Sequence, residues 1–487
     1  MQTFSDMLRQ LLSANHYTAY QLAQLSGVNR TTIQRALTSD RCPQKSAFEK
    51  LAASLNLTPG ERELFYAAYE QAAEGDFHYF CRKHVKQLLE NTESVALLIE
   101  KPIKLKQSVS LEEPVPYNTL THGYYNICRL FKILVSQETA KNEKPELALA
   151  FPSDNPLFEQ FFQDLGSYDA SHFFIRHLIF LARNPAILKD HRNYNLKMLA
   201  NLLPLILEKG SDYEIHYMYR NYSMNDTNYS VFPYYILFSD CALLFSSDYN
   251  TVWLEQKSEL VAFLKSRFND SFEQSHRLLQ TIPIHQQFKD RAKRCENSKF
   301  VYSMGYQPAF SDLLDDNLCK NLTNPEAADN NTLLEFLLSY NKKLRSLENN
   351  INIFHEKSLE EFIHYGIIKP VPPGLLRKLN KKERLQVLTA LYNACQNDTP
   401  VYRIINPLAF SLSQNIVMDV TGKNCVELYF YNQSRQEYHI IRIMENTLFE
   451  TFADFLSYLP RSTMVYDRDT TLSIIEKYRL QLECMIE

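Results

Sequence analysis

Six of the seven residues in the short stretch NRTTIQR have polar side chains, and five of these are candidates for bonding to the edges of bases. An arginine can bond bidentately to guanine, a glutamine can bond to adenine, and a threonine methyl group can contact thymine. The apolar residues Ile33, Ala36 and Leu37 alternate with them at helical spacing. The pattern predicts a helix over Arg30–Leu37 with one polar and one buried face. The polar candidates are Asn29, Arg30, Thr31, Gln34 and Arg35.

A glycine separates this stretch from a second helix-like segment, Ala19–Ser26. Two helices that cross steeply through a short turn favour a residue that tolerates positive φ, and glycine is the usual choice. The chain has only ten glycines. The position of Gly27 therefore indicates a turn between two crossing helices.

Three further helices are expected around this pair. Apolar residues at helical spacing predict helices over Thr3–Ala14 and Lys45–Leu55. Thr58 and Pro59 are typical of the first residues of a fifth helix. Residues 1–73 are therefore expected to form an all-α bundle of five helices.

With these elements in place, residues 1–73 resemble the helix-turn-helix domain of the lambda-repressor-like (XRE) family, which includes phage repressors and Cro proteins. The matching stretches are LAQLSGVNRTTIQRAL and, one helix later, FEKLAASLNL. The resemblance implies that double-stranded DNA is the partner and that residues 30–37 lie in the major groove. It implies base-reading roles for Asn29, Arg30, Thr31, Gln34 and Arg35.

One family position departs from the pattern. Ala19 stands where family members often carry a glutamine that contacts phosphate. The expected phosphate contacts are instead Thr18, Tyr20, Thr38, Arg41 and Lys45. Six basic residues stand against two acidic ones between Arg9 and Lys50, so non-specific binding is expected to be weak and sensitive to salt. The alternative interpretation of the polar face is a solvated surface, or one that binds protein.

The whole chain has the composition of a globular protein, with 487 residues, 45% of them hydrophobic, and a formal net charge of -4. The nine cysteines show no C-x-x-C pair, which favours free thiols in a reducing cytoplasm. We expect a cytoplasmic protein without a membrane segment, because the longest apolar runs are too short to span a bilayer.

Beyond residue 73 the sequence predicts a helical connector over 74–92 and two α+β domains over 93–320 and 333–487. The polar stretch KNLTNPEAADNNT is the expected break between those domains. Strand-like runs include SVALLIEKPIKL, ELALAF and YEIHYMYRNYSM, and a helix is expected near Val252–Phe268 with Trp253 at its start.

Two regions, near 213–268 and 415–458, share the order strand, strand, strand, helix. The two regions share the order of their predicted elements and not their residue identities. One interpretation is that they are two related modules. The expected fold is therefore multidomain, with an all-α five-helix helix-turn-helix bundle followed by a large mixed α+β region.

No enzyme motif is present: the sequence lacks a P-loop, G-x-S-x-G, H-E-x-x-H and G-x-G-x-x-G. We therefore expect no enzyme, no cofactor and no metal. The acidic stretch DLLDDN suggests a metal site but is more typical of a solvated loop or helix end, and His172 and His177 are interpreted as structural residues.

Tyrosine and arginine alternate in the strand-like run near residue 217. Side chains of this kind can line a pocket for a small molecule or peptide, although an aromatic-rich sheet packed on helices gives the same pattern. The candidate pocket residues are Tyr217, Tyr219, Arg220 and Tyr234.

Two functions are compatible with these observations. One is a sequence-specific transcriptional regulator whose C-terminal region forms a homodimer and senses an effector, since such proteins pair across half-sites about 34 Å apart. The other is a DNA-binding adaptor or antitoxin-like protein whose C-terminal region binds a protein partner.

Overall fold

The computed structural model describes most of the chain, which divides into two compact units, Met1–His84 and Val85–Glu487. The described residues are 3–38, 42–100, 118–141, 144–167, 173–183, 193–209, 212–220, 231–283, 290–291, 293–295, 298–324, 330–344, 347, 349–369, 371, 374–422, 424–432 and 437–486. Within these ranges no helix is long and apolar enough to cross a membrane. The finer domain boundaries expected from the sequence stay predictions.

The first unit is helical, as the sequence predicts, and side-chain caps define where its helices begin. The side chains of Thr3, Thr18 and Thr58 each accept a backbone N–H of the first turn that follows. The helices are α1 (Phe4–Ala14), α2 (Ala19–Ser26), α3 (Arg30–Thr38), α4 (Lys45–Ser54) and α5 (Pro59–Glu74), and α6 (Asp76–Glu100) begins in the first unit and continues into the second.

An aromatic cluster forms the centre of the first unit. The rings of Phe48 and Tyr69 stack with centroids 3.8 Å apart, and Phe4 stacks on Phe65 at 5.4 Å. Burying such rings removes large apolar areas from water, which stabilises the folded state by about 25 cal/mol for each Å² of apolar surface buried. Leu25, which the helical pattern places among the apolar positions of α2, is 58% exposed and does not belong to this core.

Two segments differ in type from the expected elements. SVALLIE is not a strand but the end of α6, because no glycine or proline interrupts the helix before Pro102. The rest of that run, KPIKL, lies outside the described residues. Trp253 is not at a helix start but on a strand, where it pairs with Leu120 and Leu244.

The second unit contains two mixed sheets. The first has the order β1-β7-β6-β5-β2-β3-β4-β8. Its strands are β1 (Leu120–His122), β2 (Glu146–Ala150), β3 (Phe174–Ala182), β4 (Tyr213–Arg220), β5 (Tyr234–Leu237), β6 (Ala242–Phe245), β7 (Thr251–Glu255) and β8 (His276–Arg277).

The second sheet has the order β12-β11-β10-β13-β14-β15-β9. Its strands are β9 (Leu279–Ile282), β10 (Phe300–Gly305), β11 (Asn349–Phe354), β12 (Val401–Ile404), β13 (Ile416–Thr421), β14 (Cys425–Asn432) and β15 (Glu437–Ile443).

Seven strands of each sheet have the same order and the same directions. Each repeat contains three parallel strands, β2–β4 in one sheet and β10–β12 in the other. An antiparallel meander of three strands, β5–β7 or β13–β15, follows them in the chain and pairs with the first parallel strand. One strand that precedes the parallel strands, β1 or β9, pairs with the last strand of the meander. The similarity expected from the sequence is therefore part of a longer topological repeat.

The helices of the second unit cover the faces of these sheets. They are α7 (Tyr124–Lys141), α8 (Pro156–Ser167), α9 (Tyr194–Lys209), α10 (Ser258–Gln274), α11 (Asp316–Leu322), α12 (Asn330–Leu344), α13 (Glu356–Tyr365), α14 (Lys381–Asn397), α15 (Asn446–Tyr458) and α16 (Arg468–Cys484).

In each repeat the helices that connect the parallel strands pack on one face of the sheet, which we call the crossover face. The helix that follows the meander packs on the other face. In the first repeat, Leu147 and Leu149 pack with α7–α9, whereas Ala148 and Ala150 pack with Phe268 and Phe272 of α10. In the second, Val301 packs with α11–α14 and Met304 with α15. The two repeats therefore share both strand topology and the placement of helices on the two faces of the sheet.

Candidate nucleic-acid interface

Helix α3 is fixed against α1 by its buried face. Ile33 and Ala36 are completely buried. The hydroxyl of Ser5 donates a hydrogen bond of 2.7 Å to the carbonyl oxygen of Ala36, and the Arg9 guanidinium donates to that of Leu37. These contacts leave α3 with one possible outward face.

The turn before α3 depends on the backbone of Gly27. This residue has φ 65° and ψ 14°, and its N–H donates a 3.0 Å hydrogen bond to the carbonyl oxygen of Ala23. A Cβ atom added there would meet nothing within 4 Å, so the reason for glycine is the positive φ and not lack of space.

The first turn of α3 is organised by Asn29. The side-chain Oδ1 of Asn29 accepts a 2.9 Å hydrogen bond from the backbone N–H of Thr31 and a 2.7 Å hydrogen bond from the Thr31 hydroxyl. This oxygen is therefore engaged in capping, and the side-chain NH₂ group of Asn29 and the methyl group of Thr31 remain for base contacts.

The outward face of α3 carries the predicted base-reading residues in adjacent positions. Arg30, Thr31, Gln34 and Arg35 are all exposed, as is Asn29 before them. They lie one and four residues apart, which places them on one side of the helix. This exposed face contains two guanidinium groups and no carboxylate, so the structure brings the predicted set together.

Tyr20 of α2 lies close to Arg30 of α3. The guanidinium carbon of Arg30 is 5.9 Å from the centre of the Tyr20 ring, and Gln24 donates a 3.0 Å hydrogen bond to the Tyr20 hydroxyl. Cation–π contacts at exposed sites contribute about 0.5–1 kcal/mol. Tyr20 therefore orients Arg30, besides its predicted contact with phosphate.

The other predicted phosphate contacts have different surroundings. The Thr18 hydroxyl caps α2 in a box with Gln21, and the Thr38 hydroxyl donates to the carbonyl oxygen of Gln34 at 2.8 Å. Lys45 is exposed in the first turn of α4. Arg41 lies outside the described residues.

The aromatic residues expected to line a pocket in the second unit do not form one cluster. Tyr217 and Tyr219 contact each other on the crossover face, with ring centroids 5.3 Å apart. The side chain of Arg220 stacks over Phe180 on the opposite face. Tyr234 lies on β5, beyond β2 and β3, and stacks on Tyr249.

Tyr219 has a structural role instead. Its hydroxyl donates a 2.5 Å hydrogen bond to the completely buried carboxylate of Glu445. That carboxylate also caps α15, because it accepts from the backbone N–H groups of Thr447 and Leu448. The contact ties the first repeat to the second.

The histidine and acidic candidates have structural surroundings as well. His177 is buried on β3 between Tyr213 and Phe151, while His172 lies outside the described residues. Asp315 caps α11 by accepting from the Leu318 N–H. Over the part of the chain that the structure describes, no three His, Cys, Asp or Glu residues form a group that could hold a metal ion.

A row of polar side chains crosses the second sheet on its crossover face, and the sequence reading missed it. Strand register places one member on each strand, opposite its neighbours. All but the first are buried. This polar row consists of Gln280, Arg442, Glu427, Asp419, Ser303, Asn352 and Tyr402.

Charged members of the polar row are paired through buried contacts. Ser303 donates a 2.6 Å hydrogen bond to Asp419, and Arg291 approaches the other carboxylate oxygen at 3.0 Å. Glu427 accepts from Arg442 at 2.9 Å and from Arg294 at 2.6 Å. The available signal was a lone charge in the middle of each apolar strand, as in NIVMDVT and CVELYFYN.

The corresponding row of the first sheet is apolar apart from one histidine. Register aligns its members across six strands on the crossover face. They are Ile215, His177, Leu149, Ile236, Leu243 and Leu254. The same topology therefore folds around an apolar row, so the fold itself does not require the charges of the second sheet.

Comparisons with known proteins leave the family of this chain open. No protein-family model matches the chain, and no curated protein is significantly similar to it. One solved structure with some similarity is TrmBL2, described as an archaeal chromatin protein with a novel mode of DNA binding. The identity is 13%, the match covers 47% of this chain and 88% of that one, and the TM-score is 0.24.

A second is a phosphatidylserine synthase from Haemophilus influenzae Rd KW20, with 9% identity, coverage of 76% of this chain and 94% of that one, and a TM-score of 0.25. At TM-scores this low, neither similarity carries an argument about fold or function.

Proposed function

We propose that the protein is a sequence-specific DNA-binding transcriptional regulator and not an enzyme. In this proposal α2, the turn at Gly27 and α3 form a helix-turn-helix of the lambda-repressor-like type. The observation that carries it is the exposed face of α3, which presents Arg30, Gln34 and Arg35 together while Ile33 and Ala36 fix the opposite face.

The chemistry of that face suits the major groove. Helix α3 presents two planar guanidinium groups for guanine and one amide for adenine, each able to bond bidentately. Each good bidentate pair contributes about 1–3 kcal/mol of discrimination against the wrong base. The positive end of the helix dipole at the first turn of α3 favours a nearby phosphate.

A single reading helix contacts only a few base pairs, so useful specificity needs a second half-site. We propose that the protein acts as a homodimer on a two-fold symmetric operator. The second unit then provides dimerisation and the binding of an effector, because it is far larger than a DNA-reading domain requires.

Selection of bound fragments from random double-stranded DNA tests the proposal. The wild-type chain should enrich one motif with two inverted half-sites about 34 Å apart. The double variant Arg30→Ala, Arg35→Ala should lose that motif. A matched double variant, Lys50→Ala with Arg62→Ala, removes the same charge from exposed positions on α4 and α5 and should keep it.

Two results would overturn the proposal. Failure of the wild-type chain to enrich any motif would exclude sequence-specific binding. Enrichment of the same motif by the Arg30→Ala, Arg35→Ala variant would mean that another surface reads the DNA.

A further inference from the structure

A cavity of about 250 Å³ lies beside the polar row of the second repeat, between its parallel strands and the helices of the crossover face. Val301, Leu313 and Ala394 contribute apolar walls, and Ser303 and Asn352 of the polar row also line it. An apolar cavity of about 150 Å³ is large enough to bind benzene. This cavity therefore has room for a ligand larger than one aromatic ring.

Asp312 gives the cavity its charge. Among the described residues that line it, Asp312 is the one charged side chain. It belongs to the 3-10 turn Phe310–Leu313, in the connection that leaves the carboxyl end of β10. Ligands of open α/β sheets bind in crevices outside the carboxyl ends of parallel strands, so Asp312 has the position of a ligand-contacting residue.

The cation that acts on Asp312, Arg291, is already engaged with another carboxylate. Arg291 acts on Asp312 electrostatically, but its guanidinium forms an ion pair with Asp419 at 3.0 Å. The Asp312 carboxylate accepts a 3.1 Å hydrogen bond from the hydroxyl of Ser311. Burial raises the pKa of Asp312 to about 7, so a cation bound in the cavity would restore the charge that burial opposes.

The first repeat provides an internal comparison. Its crossover face has the apolar pair Leu149 and Ile236 where the second repeat has Ser303 and Asp419. Burying polar and charged groups costs free energy that a stable fold can avoid, as the first repeat does. Two polar side chains that line the cavity, Ser303 and Asn352, are therefore better explained by a ligand than by folding.

From the shape and charge of this cavity we infer that it binds a small organic cation with an apolar body and one basic nitrogen, held by the Asp312 carboxylate. The ligand class is thus an arylalkyl or alkyl amine. This inference rests on the proposed sensing role of the second unit and names the effector class for it.

The test uses the full-length chain without DNA, so that its outcome is independent of DNA reading. Thermal unfolding and titration calorimetry would be measured with phenethylamine and tryptamine. The size-matched anions 3-phenylpropanoate and indole-3-propanoate serve as the second series. The amines should bind saturably and raise the Tm of the chain, and the carboxylates should not.

Two variants and one control locate the site. Asp312→Asn keeps the shape of the side chain and should weaken amine binding by about tenfold or more, because a charge-assisted bond is lost. Ala394→Leu should block binding by filling the cavity. Asp316→Asn, which makes the same chemical change at an exposed position four residues away, should leave binding unchanged.

The inference is wrong if the carboxylates bind as tightly as the amines, or if neither series stabilises the wild-type chain. It is equally wrong if Asp312→Asn and Ala394→Leu, both confirmed as folded by circular dichroism, retain full amine affinity. Failure of the DNA selection with intact amine binding would count against the regulator proposal alone.

Discussion

The hydroxyl of Ser303 donates a 2.6 Å hydrogen bond to the carboxylate of Asp419, the residue directly opposite it on the adjacent antiparallel strand. In the topologically equivalent sheet, Leu149 and Ile236 face each other in the same way. One strand pairing thus carries a polar contact in one repeat and an apolar contact in the other. The fold therefore does not need the polar contact between Ser303 and Asp419, which is particular to the second repeat.

Removing the Asp419 carboxylate should strongly destabilise the second unit. Asp419→Ala leaves the buried Arg291 with its hydrogen bond to Tyr340 but without its carboxylate partner, and breaking a buried ion pair in this way costs about 3–5 kcal/mol. The triple variant Ser303→Ala, Asp419→Leu, Arg291→Met replaces the polar contact by apolar side chains and should recover most of that loss. Urea unfolding followed by tryptophan fluorescence of Trp253 would measure both, and a loss below 1 kcal/mol for Asp419→Ala would contradict the prediction.

Lys45→Ala should weaken DNA binding equally for all sequences. Lys45 is exposed at the start of α4, and its contact with a phosphate would release about one counterion from the DNA. Loss of Lys45 should therefore reduce the slope of log K against log salt concentration by about 1 in magnitude. Fluorescence anisotropy at several salt concentrations would show this. Gln34→Ala, in contrast, should change the base preference at one position of the site. If Lys45→Ala leaves the salt dependence of binding unchanged, Lys45 does not contact DNA.

Substitution of Gly27 should be costly while substitution of Gly60 is not. Both positions have open space for a Cβ atom, but only Gly27 has positive φ, which costs an L-residue about 1–2 kcal/mol. Gly60→Ala, inside α5, should be neutral or stabilising by about 0.5–1 kcal/mol. Hydrogen exchange of the α2 and α3 amides would report the difference, and equal effects of the two variants would argue against a strained turn.

The stability of the second unit should carry a pH-dependent contribution from His177. Burial lowers the pKa of His177 to about 4, while its carbonyl partner Phe151 acts in the opposite direction. Between pH 6.5 and 4 His177 is protonated in the unfolded chain but stays neutral in the folded chain. The contribution of His177 to stability therefore falls as the pH is lowered. Its full size is about 3 kcal/mol.

Comparison with His177→Gln isolates that contribution, because other groups titrate in the same range. His355 has its pKa lowered to about 4 and acts in the same direction, whereas Asp312 has its pKa raised to about 7 and acts oppositely. The free energy of unfolding measured at pH 7 and pH 4.5 should change less in His177→Gln than in the wild type. Identical changes would mean that His177 is not held neutral.

The boundaries of the first unit follow from local signals. Thr18, Asn29 and Thr58 bond to backbone groups two or three residues away, and the φ of Gly27 is a property of that residue alone. Such short-range interactions are visible in a sequence, which is why α2 is predicted with its observed ends and α3 to within one residue.

Where local signals are ambiguous, the sequence misleads. SVALLIE suits a strand by composition but continues a helix, and Trp253 follows a helical pattern but pairs with β1 and β6. In both cases the choice between helix and strand depends on neighbouring elements, which the sequence of the segment itself does not specify.

The sequence by itself therefore determined a helical N-terminal unit, an α+β remainder and a polar face on Arg30–Leu37 with no acidic residue. Only the tertiary structure decided that Ser303, Asp419 and Glu427 lie in one row and that Asp312 lines a cavity with both apolar and polar walls. The physical reason is strand register: the residues of the row are up to 124 positions apart in the chain, from Ser303 to Glu427, and only pairing across the sheet brings them together.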